Sequence, residues 1–105
     1  MRRASVTYRP GALLDLQRIY EAIADVSQNH AVAKHFVQRM MERCSKIGEA
    51  PFGGRPRDDL EPGLRTVPFE RSAVITYRVT DVVEITNIFY GGRDYEALYP
   101  RDIDA

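Results

Sequence analysis

One cysteine, two lysines and no tryptophan stand among the 105 residues of this chain. A lone Cys44 cannot close an intramolecular disulfide, so the fold must rest on packing. No apolar run approaches the roughly 20 residues that a membrane helix needs, and no targeting stretch of about 15 to 30 residues precedes the domain. A cytoplasmic location without a membrane partner is the expectation. Neither sign of charge is in excess, with 15 basic and 15 acidic side chains. Residues 1–52 hold eight Lys/Arg against five Asp/Glu and residues 53–105 hold seven against ten, so neither half looks like a non-specific nucleic-acid binder. No direct sequence-specific nucleic-acid binding is expected either. Lys34 and Lys46 are the only lysines; codon usage is the ordinary reason, although arginine is also the better residue for bidentate contacts.

What is present describes a folded domain. Apolar residues make up 44% and charged residues 29%, outside the range of disordered chains. The length suits one domain with one core, spanning residues 1–105. "ASVTYR" (4–9) alternates as a short strand, and Pro10 suits the first turn of a helix. In that helix Leu13, Leu16, Ile19, Tyr20 and Ile23 recur at steps of three and four until about Val26. Asn29 can cap a second helix, whose stripe is Ala33, Phe36, Val37, Met40, Met41, Cys44 and Ile47 before Gly48 and Pro51 stop it. Two such helices with so short a connection form a hairpin.

Residues 50–62 have the glycines, prolines and charges of a loop. The period then changes to two. Residues 64–69, 73–79 and 82–90 read as three strands of an antiparallel meander, with turns at 70–72 and 80–81. Strict alternation puts Ile75, Tyr77 and Val79, with Val83, Ile85 and Phe89, under the helical hairpin. The opposite face then carries Val74, Thr76, Arg78, Val82, Ile88 and Tyr90, which is apolar enough to expect a cover.

Several chemistries find no support in the residues. His30 and His35 are five apart, off the i, i+4 spacing that aims two ligands at one metal, and Cys44 sits in an apolar stripe, so no metal is expected. "GGRPR" lacks the Lys-Ser/Thr of a phosphate loop, and no cofactor is implied. Asp58, Asp59 and Glu61 are ordinary solvated loop carboxylates, with a role in orienting Arg55 or Arg57 left open.

"GRPRDDLEPGLR", the "ITYRV" strand and the closing "GGRDYEAL" together carry a resemblance across about residues 4–98. They resemble the ParE/RelE toxin superfamily of type II toxin-antitoxin systems, and its ParE branch most closely. The resemblance implies an α+β fold, an N-terminal strand and helical hairpin packed on a twisted antiparallel sheet in the order β-α-α-β-β-β with a short C-terminal segment. It implies a toxin that inhibits DNA gyrase by binding, is neutralised by a cognate ParD-like antitoxin and serves plasmid stabilisation. Two alternatives stay open: a ribosome-dependent mRNA endonuclease of RelE type, and a remnant that only binds its antitoxin.

By the same resemblance, RelE-type nucleases place basic residues on the first two meander strands and an Arg and a Tyr after the last. Arg65, Arg93 and Tyr99 fall on such positions, while Val67 and Val74 fall where RelE has basic residues. Valine can neither move a proton nor neutralise a phosphate, so no catalytic residue is assigned. Arg65, Arg93, Tyr95 and Tyr99 stand as candidates for target contact. Their structural alternatives are a local Arg93 to Asp94 pair and the docking of a last helical turn through Tyr95 and Leu98. Val74, Thr76, Arg78, Val82, Ile88 and Tyr90 are the candidates for antitoxin contact.

Overall fold

A computed structural model describes residues 3–99. Pro10 opens the first helix, α1 (Pro10–Ser27), at a position where a backbone N–H would find no acceptor. Its buried residues are Ala12, Leu16 and Ile19, while Leu13 is 52% exposed. The apolar stripe therefore takes in Ala12 in place of the expected Leu13. Gln28 takes the left-handed conformation (φ 54°) and ends the helix. The Asn29 side chain accepts from the Ala31 and Val32 N–H groups and caps α2 (His30–Ile47), as its sequence position predicts. Ala33, Met40, Cys44 and Ile47 are buried, Phe36 and Val37 half-buried, and Met41 turns outward. Gly48 permits a close approach: a Cβ there would lie 2.4 Å from the Ala4 carbonyl oxygen.

The sheet contains β1 (Val6–Tyr8), β2 (Arg55–Pro56), β3 (Arg65–Phe69), β4 (Ala73–Val79) and β5 (Val83–Tyr90), in the order β1-β5-β4-β3-β2. The three meander strands fall where the alternation places them. Two features differ from the sequence expectation. β1 joins β5 in parallel, Val6 opposite Val83, so the sheet is mixed and not wholly antiparallel; the intervening helices supply the long crossover that a parallel pair requires. Within the expected loop, Arg55 and Pro56 pair with Thr66 and Arg65 as a two-residue edge strand. Proline has no N–H for a ladder and belongs at such an edge. Periodicity cannot register an element this short.

The helices cover one face of the sheet, where Val67, Phe69, Ala73, Ile75, Tyr77, Val83, Ile85 and Ile88 join them in one core. Burying such a side chain fully contributes roughly 1.5–3 kcal/mol. A bulge in β5 sets the alternation. Thr76 pairs with Asn87 but Tyr77 pairs with Ile85, leaving Thr86 as an extra residue. Beyond it the faces invert relative to strict alternation. Ile88 enters the core at 2% exposure, and Tyr90 packs edge-to-face on Phe36 at 5.7 Å. Phe89, expected under the hairpin, lies on the opposite face. The Asp15 carboxylate on α1 accepts from the Ile88 N–H at 2.9 Å and the Asn87 amide at 3.1 Å, so the irregular backbone is not left unpaired.

Tyr77 organises the loop before β2. Its hydroxyl donates to the Pro51 carbonyl at 2.8 Å and accepts from the Gly54 N–H at 2.9 Å. Glu70 and Arg71, both left-handed (φ 46° and 58°), turn β3 into β4, a geometry matched to the twist of paired strands. After β5, Gly91 and Gly92 (φ 80° and 74°) take dihedrals that side chains resist. The chain then folds back into a single 3-10 turn, Tyr95–Leu98. Among the described residues no helix is long and apolar enough to cross a membrane.

Candidate functional site

The face of the sheet away from the helices carries Thr66 and Pro68 of β3, Val74, Thr76 and Arg78 of β4, and Phe89 of β5. The "YGGRDYEALY" stretch returns across it. Tyr95 stacks on Phe89 at 5.4 Å with an interplanar angle of 20°, and Tyr99 meets the same ring edge-on at 6.4 Å. The Arg93 guanidinium lies over it at 5.5 Å. Phe89 thus collects three side chains from the segment, which is possible because the bulge turned it outward.

Arg57 pins this segment. Only 7% exposed, its guanidinium donates to both Asp59 carboxylate oxygens at 2.9 and 2.8 Å and to the Tyr95 hydroxyl at 3.1 Å. It also donates to the Glu96 carboxylate. Hydrogen bonds from Arg57 hold the Asp59 carboxyl below its ordinary value, and Asp59 and Glu96 together raise that of the arginine. Asp59 therefore orients Arg57, the option that the polar loop left open. The load that Arg57 carries was not legible; one loop arginine among several gives no sign of which reaches a distant turn.

The expected antitoxin-contact residues do not share one surface. Val74 lies half-buried on the second face. Thr76 lies there too but is fully buried, its hydroxyl 2.7 Å from that of Thr86. Arg78 is tied to the Pro62 carbonyl at 2.9 Å and pairs with Glu61 at 3.6 Å. Val82 sits half-buried in the turn before β5. Ile88 and Tyr90 are on the hairpin side, and this corrects their placement: the bulge shifts every residue after Thr86 by one step.

The candidates for target contact divide as well. Arg65 shares the hairpin side with Val67, where it donates to the Phe52 and Gly54 carbonyls at 3.0 and 2.8 Å and lies over the Phe52 ring at 5.3 Å. Val67 is in the core. Arg93, Tyr95 and Tyr99 belong to the opposite side. Among the described residues Arg93 makes no ion pair with Asp94, and Leu98 is 55% exposed, so Tyr95 and Tyr99 do the docking. The Tyr99 hydroxyl is buried beside Thr76 without a hydrogen bond of good geometry, and burial raises the phenol above its ordinary value. Such a group is poorly placed to exchange protons with a substrate.

A cavity of about 190 Å³ opens at the end of this face, between the β3–β4 turn and the strand exit at Gly92, with Arg71 and Arg93 at its rim. Elsewhere, His30 is held by the Tyr20 hydroxyl at 3.1 Å, and burial pushes the Cys44 thiol up to about 11. Among the described residues no three His, Cys, Asp or Glu side chains converge on a metal position.

The family described as "ParE toxin of type II toxin-antitoxin system, parDE" matches residues 6–95. A chain of the solved "Chromosomal ParDE TA system from P. aeruginosa" is similar at 25% identity with a TM-score of 0.73, covering 85% of this chain and 97% of that one. No curated protein matches the sequence.

Proposed function

From the premise that this chain belongs to the ParE toxin family, we propose that it inhibits DNA gyrase by binding and is neutralised by a cognate ParD-like antitoxin. The action is occlusion of a large enzyme, with no bond made or broken by the toxin. The observation that carries this reading is the separation of Arg65 from Arg93. RNA cleavage needs a base, an acid and a charge stabiliser in one cleft. Here Arg65 is engaged by backbone carbonyls on the hairpin side, Arg93 lies over Phe89 on the other, and the Tyr99 hydroxyl is buried. Arg93, with Tyr95 and Tyr99 holding its segment, is the side chain free to meet the target. The antitoxin covers what remains apolar and reachable, Val74 on the second face and the outer positions of the hairpin, such as Leu14 and Val32.

The deciding experiment places purified protein in a gyrase supercoiling assay beside a ribosome-bound mRNA cleavage assay. Inhibited supercoiling with intact mRNA is the expected result. Codon-phased mRNA cuts would replace this reading with the nuclease.

A further inference from the structure

We propose that the buried Arg57 is a positioning residue for the target contact: by holding Tyr95 and Glu96 it sets where Arg93 stands on the second face. That Arg93 meets a target rests on the function proposed above; the placing of Arg93 by Arg57 does not.

Arg93 belongs to a short span hung between two anchors. At one end the Gly91 N–H donates to the Ser72 carbonyl at 2.9 Å, and at the other the Tyr95 N–H donates back to the Arg93 carbonyl at 2.9 Å. Gly91, Gly92, Arg93 and Asp94 are all exposed. Beside the two glycines a built Cβ would meet nothing within 4 Å, so no neighbour wedges the span from that side. The far end therefore decides its place. There the Arg57 guanidinium donates to the Tyr95 hydroxyl at 3.1 Å and to the Glu96 carboxylate. Arg93 itself contributes a contact over the Phe89 ring at 5.5 Å. At an exposed site such a cation–π contact is too weak to fix a mobile span alone.

Arg57 is firmly set in turn. Its N–H donates to the Leu64 carbonyl at 2.7 Å, and its carbonyl accepts from the Leu60 and Glu61 N–H groups at 3.0 and 3.2 Å. Asp59 grips the edge of the guanidinium through two bonds at 2.9 and 2.8 Å, which aims the remaining donors at Tyr95 and Glu96. Among the described residues Arg9, Arg39 and Arg78 each pair with one carboxylate, whereas Arg57 pairs with carboxylates from two segments. A lysine ammonium on its flexible stem cannot reproduce that planar fork.

Stability is a poor reason for this arrangement. The turn that Arg57 holds, Tyr95–Leu98, contains no buried residue. Desolvation offsets most of what a buried ion pair gains over apolar packing. What a guanidinium only 7% exposed provides here is orientation of an otherwise loosely held segment.

The test begins with NMR of the full chain. The Phe89 ring shields the Arg93 side-chain protons, which should lie upfield in the parent and lose most of that shift in Arg57→Gln and Arg57→Lys, with the core amides of Ile75 and Ile88 unmoved. Glu96→Gln, which keeps Arg57 and the shape of the turn, should lose part of it and decides the matter if the Arg57 variants do not fold. Upfield Arg93 protons retained in the folded variants would overturn the proposal, as would full rescue by Arg57→Lys. Gyrase supercoiling supplies the second reading. Arg57→Gln should weaken inhibition about tenfold in the parent but less than about twofold in an Arg93→Ala background, with protein raised until inhibition returns. Equal losses in both backgrounds would mean that Arg57 acts on the fold at large and not through Arg93, which also overturns the proposal. A parent that leaves gyrase active removes the gyrase reading, and the Arg93 shifts then judge the positioning by themselves. An inhibiting parent whose Arg93 shifts survive Arg57→Gln removes the positioning alone.

Discussion

Arg57 and Glu96 are joined side chain to side chain across 39 positions of the chain. With the Tyr95 hydroxyl on the same guanidinium, this contact fixes the C-terminal segment to the loop before β3. Arg57→Ala should therefore free Tyr95 and Tyr99 from Phe89 while the helix-side core persists. The signature is a loss of near-ultraviolet tyrosine dichroism and a new protease site after Gly92, with far-ultraviolet helix signal kept. An unchanged tyrosine signal would mean that the stacking on Phe89 suffices by itself.

Acid should loosen the same contact. The Asp59 carboxyl is held below its ordinary value by Arg57, so its contribution is present above the unfolded carboxylate range and is lost as pH falls through the depressed folded value. Arg57, whose own value is raised, stays charged throughout. The tyrosine dichroism should fall below about pH 4, and Asp59→Asn should remove part of that pH dependence. A titration identical in Asp59→Asn and the parent would rule out this carboxylate as the cause.

The bulge predicts opposite fates for two residues that strict alternation puts on one face. Val74→Asp places a carboxylate at a half-buried position on the second face and should leave a folded protein with weakened antitoxin binding. Ile88→Asp places it in the core and should prevent folding. Two folded variants would contradict the register observed between β4 and β5. Undiminished antitoxin affinity in Val74→Asp would move that interface elsewhere.

Phe36 is half-buried but meets both Phe69 and Tyr90 edge-to-face, at 5.6 and 5.7 Å. Phe36→Ala should cost about 3 kcal/mol, near the low end for a large aromatic because the site is open on one side. Urea denaturation measures it.

Arg93→Ala and Tyr99→Phe should separate binding from chemistry. The phenol oxygen that Tyr99→Phe removes is buried and poorly bonded, so the variant should be as stable as the parent or up to about 1 kcal/mol more so, with toxicity kept. Arg93→Ala should relieve toxicity with the fold retained by circular dichroism. Loss of toxicity in Tyr99→Phe together with mRNA cleavage in the parent would assign that hydroxyl a chemical role.

The sequence made the helices, the Asn29 cap and the three long strands legible because each repeats a period over several residues or carries a local signal. It did not make the inside and outside of β5 legible beyond Thr86. One extra residue inverts a period of two, and the carboxylate that satisfies the backbone beside it, Asp15, lies on another element. The misassignment of Ile88, Phe89 and Tyr90 follows from that single step. Of the candidate residues, Arg93 and Tyr99, named through the resemblance, do lie with Tyr95 around Phe89, and Val74 lies on the same face, as its place in an alternating strand predicts. The part played by Arg57 was not visible, since a loop arginine acquires its role only from a distant partner.

The parallel contact between β1 and β5 also governs timing. Val6 can pair only once Val83 exists, and the Val83 N–H closes onto the Ser5 carbonyl at 2.8 Å. A nascent chain can build its helical hairpin early from local contacts, but one edge of its sheet stays open until β5 has left the ribosome. Such a non-local closure is slow compared with helix formation. Because Arg93 and its neighbours follow β5, the surface proposed to meet the target is made only after the strand that closes the sheet, and no partly built sheet can present it.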